Sequence, residues 1–112
     1  MSTITPTQSR NTGVAPLTWS SAWAAGDELV NNGRAILLFR ETATAGTTVV
    51  TAASPALVDG LTIQDPTVTV PSGGYAVIGP FDPAIFNTTS GRVALTYSGA
   101  GVATTQYVAI SI

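Results

Sequence analysis

The sequence predicts an all-β protein: a two-sheet antiparallel β-sandwich, jelly-roll-like or immunoglobulin-like, with about seven or eight short strands. Three observations support this prediction. Threonine and valine, whose branched Cβ atoms suit a pleated strand, are abundant along the chain. Turn-forming residues recur about every eight to twelve positions, a spacing typical of sandwiches and barrels. No segment keeps the apolar pattern of an amphipathic helix over three turns.

A single domain accounts for the 112-residue chain, which is long enough to bury a sizeable core. Residues 1–16 are predicted to form an extended N-terminal arm, because they carry Pro6 and Pro16, many Ser and Thr residues and no apolar periodicity. We expect such an arm to add little to a core and to lie across another subunit. Residues 17–112 are predicted to form the single β-sandwich domain.

The first predicted strand is LTWSSAW, residues 17–23, whose alternation places Trp19 and Trp23 on the same face. DELV, which begins at Asp27, is a short strand. NNG, residues 31–33, is a turn signal, because Asn and Gly tolerate the left-handed backbone of tight turns.

The strongest predicted strand is RAILLFRE, residues 34–41, and its five consecutive apolar residues indicate that both faces are covered. TTVVTAA, residues 47–53, is its expected antiparallel neighbour, and Pro55 ends it. LTI at Leu61 and TVTV at 67–70 follow. The alternation of TVTV suits a strand with one buried face.

PSGG, residues 71–74, predicts a tight reversal that feeds the strand YAVIG. Pro80 and Pro83 then end the ladder, because proline has no backbone N–H to donate. Three large apolar residues surround these prolines, and two fates are open for them. They either fold back to plug one end of the sandwich or stay exposed until a partner covers them. The three residues are Phe81, Ile85 and Phe86.

The last two strands are predicted from alternation. RVALTYS, residues 92–98, places Val93, Leu95 and Tyr97 inward. TTQYVAISI closes the chain and puts three aliphatic residues on one face, which indicates that the C-terminal strand belongs to a sheet. These residues are Val108, Ile110 and Ile112.

Catalysis is not expected, because the chain has no Cys, His or Lys to act as thiol nucleophile or as base for a serine. Neighbouring Asp27 and Glu28 point to opposite faces of a strand, and all six acids are expected in turns or at the surface. Asp59 and Asp65 offer a weak calcium alternative. We therefore predict no enzyme activity, no cofactor and no metal site. The six acids are Asp27, Glu28, Glu41, Asp59, Asp65 and Asp82.

The charge pattern argues against a nucleic-acid partner, and the lengths of the apolar runs argue against a membrane partner. Charged residues are 9% of the chain and the net charge is −2, whereas phosphate binding needs clustered Lys and Arg. No apolar run approaches the roughly 18 residues of a membrane helix, and no signal peptide is expected.

Aromatic residues leave a second binding hypothesis open. Trp19, Trp23 and Tyr75 are the candidate platform of a carbohydrate-binding module, although tryptophan is more often part of a core or an interface. Arg40 and Glu41 are expected to be solvated charges at a strand edge. The chain also lacks lysine, which commonly guards exposed sheet edges, and this absence favours a role in assembly.

Several motifs occur together between residues 31 and 98. They are N-x-G-R before the strand at 35–39, V-x-V-P-x-G-G at 68–74, I-G-P-F-x-P-x-x-F-N at 78–87, and V-x-L-x-Y-S at 93–98. This combination resembles small β-sandwich proteins of tailed bacteriophages, in particular head decoration or capsid-stabilising proteins. The resemblance covers most of the chain after Asn31 and does not cover the arm before Trp19.

The resemblance implies a non-enzymatic virion protein that binds the outside of the capsid and cements neighbouring major capsid protein subunits. It implies synthesis in the host cytoplasm and location at the capsid surface. The general symmetry of assemblies favours a homo-oligomer, for which a trimer is our expectation. Tail, fibre or head-tail connector components are an alternative. The predicted partner-binding residues belong to the arm and to the segment around the two prolines. They are Thr5, Pro6, Arg10, Phe81, Ile85 and Phe86.

Overall fold

The structure is a computed structural model that describes residues 2–9, 13, 18–42, 46–62 and 64–111. The described residues form short strands, one single-turn helix, α1 (Pro83–Phe86), and one 3-10 turn (Val102–Thr104). The strands are β1 (Ser2–Ile4), β2 (Thr7–Gln8), β3 (Ser20–Ser21), β4 (Asp27–Val30), β5 (Ala35–Glu41), β6 (Thr48–Ala52), β7 (Leu57–Val58), β8 (Leu61–Thr62), β9 (Thr67–Val70), β10 (Tyr75–Ile78), β11 (Arg92–Ser98) and β12 (Thr105–Ser111).

Two five-stranded sheets form the body of the molecule. The first, called the β4 sheet, has the order β1-β4-β11-β6-β9. The second, called the β5 sheet, has the order β10-β5-β12, with β2 and β3 both beyond β12. Strands β7 and β8 pair separately as a hairpin. The pairings within the sheets are antiparallel except β1 with β4 and β2 with β12, so the predicted sandwich is confirmed with mixed sheets.

The strand count among the described residues exceeds the prediction because five strands have only two or three residues: β1, β2, β3, β7 and β8. The seven longer strands correspond to the predicted number. Their order differs from that of an immunoglobulin domain, in which the first two strands share a sheet. Here β4 and β5 lie in opposite sheets.

The core lies between the two sheets and consists of alternate residues of each strand. Leu37 and Phe39 on β5 and Val93 on β11 are fully buried. The Phe39 ring centroid lies 6.0 Å from that of Tyr97 and 6.4 Å from that of Tyr107, so aromatic contacts join the sheets at the centre of the core. Large-to-small changes here would leave cavities in a closely packed interior.

Strand β12 is the central strand of the β5 sheet and turns Tyr107 and Ala109 toward the core. Val108 and Ile110 share the opposite face, as predicted from alternation, while Ile112 lies outside the described residues. Val108 is nevertheless buried on that outer face. The second face of β5 is covered in part, since its outward residues are half-buried. These outward residues are Ile36, Leu38 and Arg40.

The first predicted strand is much shorter than its sequence suggests. Only Ser20 and Ser21 pair, and they pair with Gln106 and Tyr107 at the start of β12. The polar residues of this strand are exposed, so burial does not extend it. Leu17, the first residue of the predicted strand, lies outside the described residues.

The N-terminal segment differs from the predicted separate arm. Its described part is extended, but β1 pairs with β4 of one sheet and β2 pairs with β12 of the other. Ile4 is only 3% exposed and belongs to the core cluster. The physical reason is that β4 and the end of β12 would otherwise each leave unpaired backbone groups on one side, and this segment pairs with both.

Among the described residues, no helix has the length and apolar character required to cross a bilayer.

Candidate binding surfaces

The segment between β10 and β11, residues 79–87, is here called the Phe81 loop. It begins with a cis peptide bond between Gly79 and Pro80. Asp82 caps the following helical turn, because its Oδ1 accepts a hydrogen bond from the Ala84 N–H at 2.9 Å. The sequence therefore forms one turn of helix where proline prevents continuation of the strand.

Asn31 holds the Phe81 loop against the turn between β4 and β5. Its Nδ2 donates to the Phe81 carbonyl oxygen at 3.1 Å and to Asn87 Oδ1 at 2.7 Å. Its Oδ1 accepts from the Gly33 N–H at 3.0 Å. Sequence reasoning treated Asn31 as a turn residue only and missed these bonds, because the loop that it holds begins almost fifty positions later in the chain.

Two of the three apolar residues of the Phe81 loop take part in the core. Phe81 is 2% exposed, and its ring centroid lies 5.2 Å from that of Phe86, which packs against the core. Ile85 is half-buried, and its carbonyl oxygen accepts from the Ala56 N–H at 3.4 Å. The sequence left two arrangements open for these residues. Phe81 and Phe86 adopt the first, in which they pack into the end of the sandwich. Ile85 remains the candidate for contact.

The Phe81 loop lies at the end of the sandwich where Asn31 joins β4 to β5, here called the Asn31 end. The other predicted contact segment reaches this end as well. Ile4 lies opposite Leu29, so Thr5 follows beside the last residue of β4. The chain then crosses at Thr5 and Pro6 to the β5 sheet, where β2 pairs with the last residues of β12.

The crossing segment is accessible in part. Thr5 is exposed and Pro6 is half-buried, whereas Arg10 lies outside the described residues. A cleft of about 150 Å³ lies between this crossing and β12. Hydroxyl side chains dominate its lining, but it is smaller than a typical site for a small molecule. The hydroxyl residues are Thr3, Thr5, Thr7, Thr18, Ser20 and Tyr107.

A second cluster lies on the outer face of the β5 sheet. The Arg40 guanidinium carbon lies 4.3 Å from the Trp19 ring centroid, and Arg40 Nε donates to Gln106 Oε1 at 2.8 Å. The Trp19 ring centroid lies 6.3 Å from that of Tyr75, which is 65% exposed. The prediction that Arg40 is a solvated edge charge is wrong, because Trp19 and Gln106 take up its side chain.

Trp23 is not positioned by the predicted strand. Strand β3 ends at Ser21, so the alternation that would align Trp23 with Trp19 does not extend to it. Trp23 lies instead before a turn closed by a 2.9 Å bond from the Gly26 N–H to its carbonyl oxygen, and it is 54% exposed. The structure thus brings together Trp19 and Tyr75 of the proposed platform.

The outer faces of the two sheets differ in character. On the β5 sheet, Leu38 lies between Val77 and Val108 in the cross-strand register, and Ile36 lies beside Ile110. These five residues form an apolar surface of which Val77, at 54%, is the most exposed member. Val77 is the one exposed residue of the five, because Ile36, Leu38 and Ile110 are half-buried and Val108 is buried, so this face is not a large exposed apolar patch.

The outer face of the β4 sheet is polar by comparison. Arg92 and Glu28 form an ion pair there at 3.1 Å. Thr67 and Thr69 are exposed on β9, at one edge of this sheet. A polar outer face is the common arrangement in an antiparallel sheet with one side on the core, so the β5 sheet is the unusual one.

Glu41 is buried, and the prediction of a solvated charge is wrong for it. Its side chain is 3% exposed and shares the core-facing side of β5 with Phe39. Thr104 donates to Oε1, and Thr105 Oγ1 donates to Oε2 at 2.9 Å. Alternation from Phe39 was the signal that could have placed Glu41 inside. A buried carboxylate needs such donors to offset its desolvation.

Thr48 completes the Glu41 cluster, because its Oγ1 lies 2.6 Å from Thr105 Oγ1 and 3.3 Å from Glu41 Oε2. The cluster therefore joins β5 and β12 of one sheet to β6 of the other. Gly101 borders it closely, and a Cβ at that position would overlap Glu41 Oε2. These contacts describe a structural polar network across the core.

Asp27 is also buried, which corrects the expectation of a turn or surface role. Its Oδ2 accepts from Tyr97 Oη at 2.7 Å and from the Trp23 N–H at 3.2 Å. Burial, together with the hydrogen bond to Asp27 and its negative charge, raises the pKa of Tyr97 well above its usual range. Tyr97 therefore stays protonated and acts as a donor that holds β4 to β11.

Two of the remaining predicted turn acids, Asp59 and Asp82, occupy a turn and a helix cap, and the third, Asp65, is exposed. Asp59 has a positive φ of 52°, and Asp82 caps α1. Asp65 Oδ1 accepts from the N–H and Oγ of Ser54 at 2.9 and 2.6 Å, and these bonds lower the pKa of the Asp65 carboxyl. In the described ranges, the structure contains no group of three or more His, Cys, Asp or Glu placed to hold a metal ion.

Comparison with known proteins found no matching family model, no matching curated protein and no matching solved structure. The resemblance to phage proteins therefore depends on the motifs of the sequence.

Proposed function

We propose that this protein is a non-enzymatic virion structural protein that binds the outside of a phage capsid and cements neighbouring major capsid protein subunits. One observation carries the proposal: two segments predicted from the sequence to contact a partner lie at the same end of the sandwich. They are the crossing at Thr5 and Pro6 and the Phe81 loop. The sequence motifs support the choice of a capsid as partner and the virion as location.

The Asn31 end suits binding because its backbone is already held in place. Asn31 forms hydrogen bonds near both ends of the Phe81 loop, and the Phe81 and Phe86 rings pack the loop against the core. A surface that is ordered before binding loses less conformational entropy on association. Half-buried Ile85 offers an apolar contact, and three exposed residues form a rim beside it, of which only Asp82 is polar. These rim residues are Asp82, Pro83 and Ala84.

Co-sedimentation with undecorated capsids tests the proposal. Ala84 is an exposed residue of α1 at the Asn31 end, and Ala103 is an exposed residue of the 3-10 turn at the opposite end. Ala84→Glu should weaken capsid binding at least about tenfold by burying an unpaired charge, whereas Ala103→Glu should bind as the wild type does. Folded wild-type protein that fails to co-sediment would contradict the proposal.

A tail, fibre or head-tail connector component differs from this proposal only in its partner. The same Asn31 end would then contact a tail or connector subunit. Cryo-EM of the intact virion distinguishes these locations, because density for the sandwich would lie on the head or elsewhere.

A carbohydrate-binding module is a second candidate, and the cluster of Trp19, Arg40 and Tyr75 favours it. Aromatic rings beside a planar polar group are suited to the faces and hydroxyls of sugars. A glycan array, followed by titration of tryptophan fluorescence, tests this candidate. Tyr75→Ala should abolish binding of any sugar found on the array while leaving the fold intact, because Tyr75 is 65% exposed.

A further inference from the structure

Strand β10 forms one edge of the β5 sheet. Its hydrogen-bond pattern leaves the backbone N–H and C=O groups of two residues pointing away from β5, at the open edge of the sheet. The Glu41 N–H donates to the Gly74 carbonyl oxygen at 3.0 Å, and Tyr75 lies opposite Arg40. Because hydrogen-bonded pairs alternate along an antiparallel ladder, Ala76 and its second neighbour Ile78 exchange bonds with β5. The backbone groups of Tyr75 and Val77 therefore point away from the sheet.

This edge lacks the charged residues and prolines that often prevent strand pairing. Tyr75–Ile78 contains no charged residue and no proline, and no described strand pairs with its outer side. The side chains of the two outward-bonding residues are also exposed, Tyr75 at 65% and Val77 at 54%. The same two residues thus offer free backbone groups and free apolar surface.

We propose that β10 pairs antiparallel with β10 of a second copy of this chain across a twofold axis, which forms a homodimer with one continuous sheet. In this register Tyr75 of each copy lies opposite Val77 of the other, and Ala76 lies opposite Ala76 at the axis. The two outward-bonding residues of each copy then make four reciprocal hydrogen bonds. A shift by one pairing in either direction would instead recruit Gly73 or Gly79, whose positive φ values of 64° and 113° do not continue a strand.

The side chains at this register are complementary to themselves. Each Tyr75 contacts Val77 of the second copy on the outer face, and aromatic–β-branched pairs are favourable across strands. Ala76 is small enough for the close approach of a non-hydrogen-bonded pair at the axis. The nearest described cation, Arg40, lies one strand further in and is bound by Gln106 and Trp19. The two Arg40 residues would be roughly 16 Å apart, beyond the Debye length at physiological salt.

This inference goes beyond the proposed function, because it concerns the oligomeric state in solution. It proposes a dimer in place of the trimer expected from the general symmetry of assemblies. Its test contains no capsid, so its failure would leave the capsid-binding proposal untouched.

Sedimentation equilibrium of the purified chain tests the dimer, with Val77→Pro as the disruptive variant. Proline at position 77 removes only an outward-facing N–H, so the ladder with β5 is retained and two of the four intermolecular bonds are lost. Thr69→Pro is the matched control, because the Thr69 N–H faces outward on β9 by the same alternation. The wild type and Thr69→Pro should be dimers, and Val77→Pro should dissociate at least about tenfold more readily.

Val77→Lys provides a second readout if circular dichroism shows that the proline variant does not fold. A wild type that stays monomeric up to about 1 mM, or that forms a trimer, overturns the inference. Dimers of undiminished affinity in both Val77 variants overturn it as well.

A single cysteine tests the register itself, because the chain has none of its own. The Cα atoms of a non-hydrogen-bonded pair lie about 4.5 Å apart, within the range that a disulfide spans. Ala76→Cys should therefore form a covalent dimer on mild oxidation, while Thr69→Cys should stay largely uncrosslinked. Equal crosslinking of the two variants, or none for Ala76→Cys, contradicts the register.

Discussion

Replacement of Ile4 by alanine is the most direct test of how the N-terminal segment contributes to the fold. Ile4 lies on β1, is 3% exposed and packs in the core cluster. Deleting a buried isoleucine side chain to alanine costs about 2–5 kcal/mol, and the cost is smaller where neighbours can close the cavity. Because β1 is a three-residue edge strand that can shift inward, we expect a loss of about 3 kcal/mol.

Thermal and urea unfolding, followed by tryptophan fluorescence, measure this loss. For a domain of this size, roughly 4 °C of Tm corresponds to each kcal/mol, so Tm should fall by roughly 12 °C. Thr5→Ala is the matched control, because Thr5 is the next residue and is exposed. Its expected change lies within about 0.5 kcal/mol. Deletion of residues 1–9 should exceed the Ile4→Ala effect, since it also removes the pairing of β2 with β12.

Equal Tm values for the Ile4→Ala and Thr5→Ala proteins would refute this reasoning. That result would mean that β1 contributes nothing to the folded state in solution. It would restore the arm predicted from the sequence, which adds little to the core and is free to lie on a partner.

Three further predictions concern polar residues. Asn31→Ala removes both donated bonds to the Phe81 loop and should lower the free energy of unfolding in urea by about 2–3 kcal/mol. Glu41→Ala leaves buried threonine hydroxyls without their acceptor beside a new cavity and should cost about 3 kcal/mol or more, whereas Glu28→Ala, at the surface ion pair, should cost less than about 1 kcal/mol. The bonds from Ser54 lower the pKa of Asp65 below the unfolded value of 3.8, so their stabilisation is present above that pH and is lost as the pH falls through the lowered pKa. A Ser54→Ala variant should therefore have a lower Tm than the wild type at neutral pH, and the difference should shrink in acid.

Each of these three has an outcome that contradicts it. Unchanged hydrogen exchange in the Phe81 loop of Asn31→Ala would mean that the loop does not depend on the amide bonds. A Glu41→Ala protein as stable as Glu28→Ala would mean that the carboxylate is solvated. A Ser54→Ala difference that grows in acid would reverse the assigned sign of the Asp65 shift.

The strands that local sequence signals define were predicted well. The predicted RVALTYS strand and β11 have the same bounds, and its predicted inward residues Val93 and Leu95 are buried. The PSGG turn is confirmed by the 3.0 Å bond from the Gly74 N–H to the Pro71 carbonyl oxygen, and β10 follows it directly. Alternation and turn residues are local properties, so a single sequence contains them.

The N-terminal strands were not predictable in the same way. Ser2–Ile4 and Thr7–Gln8 contain one large apolar residue between them, and their stability depends on pairing with β4 and β12, up to about a hundred positions away. The open sides of those two strands, which create the demand for partners, exist only in the folded sheets. A polar, proline-containing segment therefore resembles a free arm until the sheets are known.

The buried acids show a different limit. Asp27 and Glu41 occupy inward positions of β4 and β5, so alternation alone would have placed them inside. Charge argued for the surface, because an unpartnered buried carboxylate is strongly unfavourable. Their partners, among them Tyr97 and Thr105, are distant in the chain. Donors of this kind are known only once the sheets face each other. The sequence alone therefore could not decide between alternation, which places these acids inside, and charge, which places them at the surface.

The direction of β10 connects the proposed dimer with the proposed function. β10 runs toward the Asn31 end, where Gly79 begins the Phe81 loop beside the start of β5. In an antiparallel pair of β10 strands, the Asn31 ends of the two copies therefore point in opposite directions. Such a dimer would contact two capsid subunits, one with each end, and this is one arrangement that would cement them.

The monomeric variant separates binding from bridging. Val77→Pro should still co-sediment with capsids, because the Asn31 end is unaltered, but it should no longer raise the temperature at which undecorated capsids disassemble. Thr69→Pro should both bind and stabilise. If Val77→Pro is monomeric and stabilises capsids as well as the wild type, each monomer contacts two subunits by itself and the dimer is not the cementing unit.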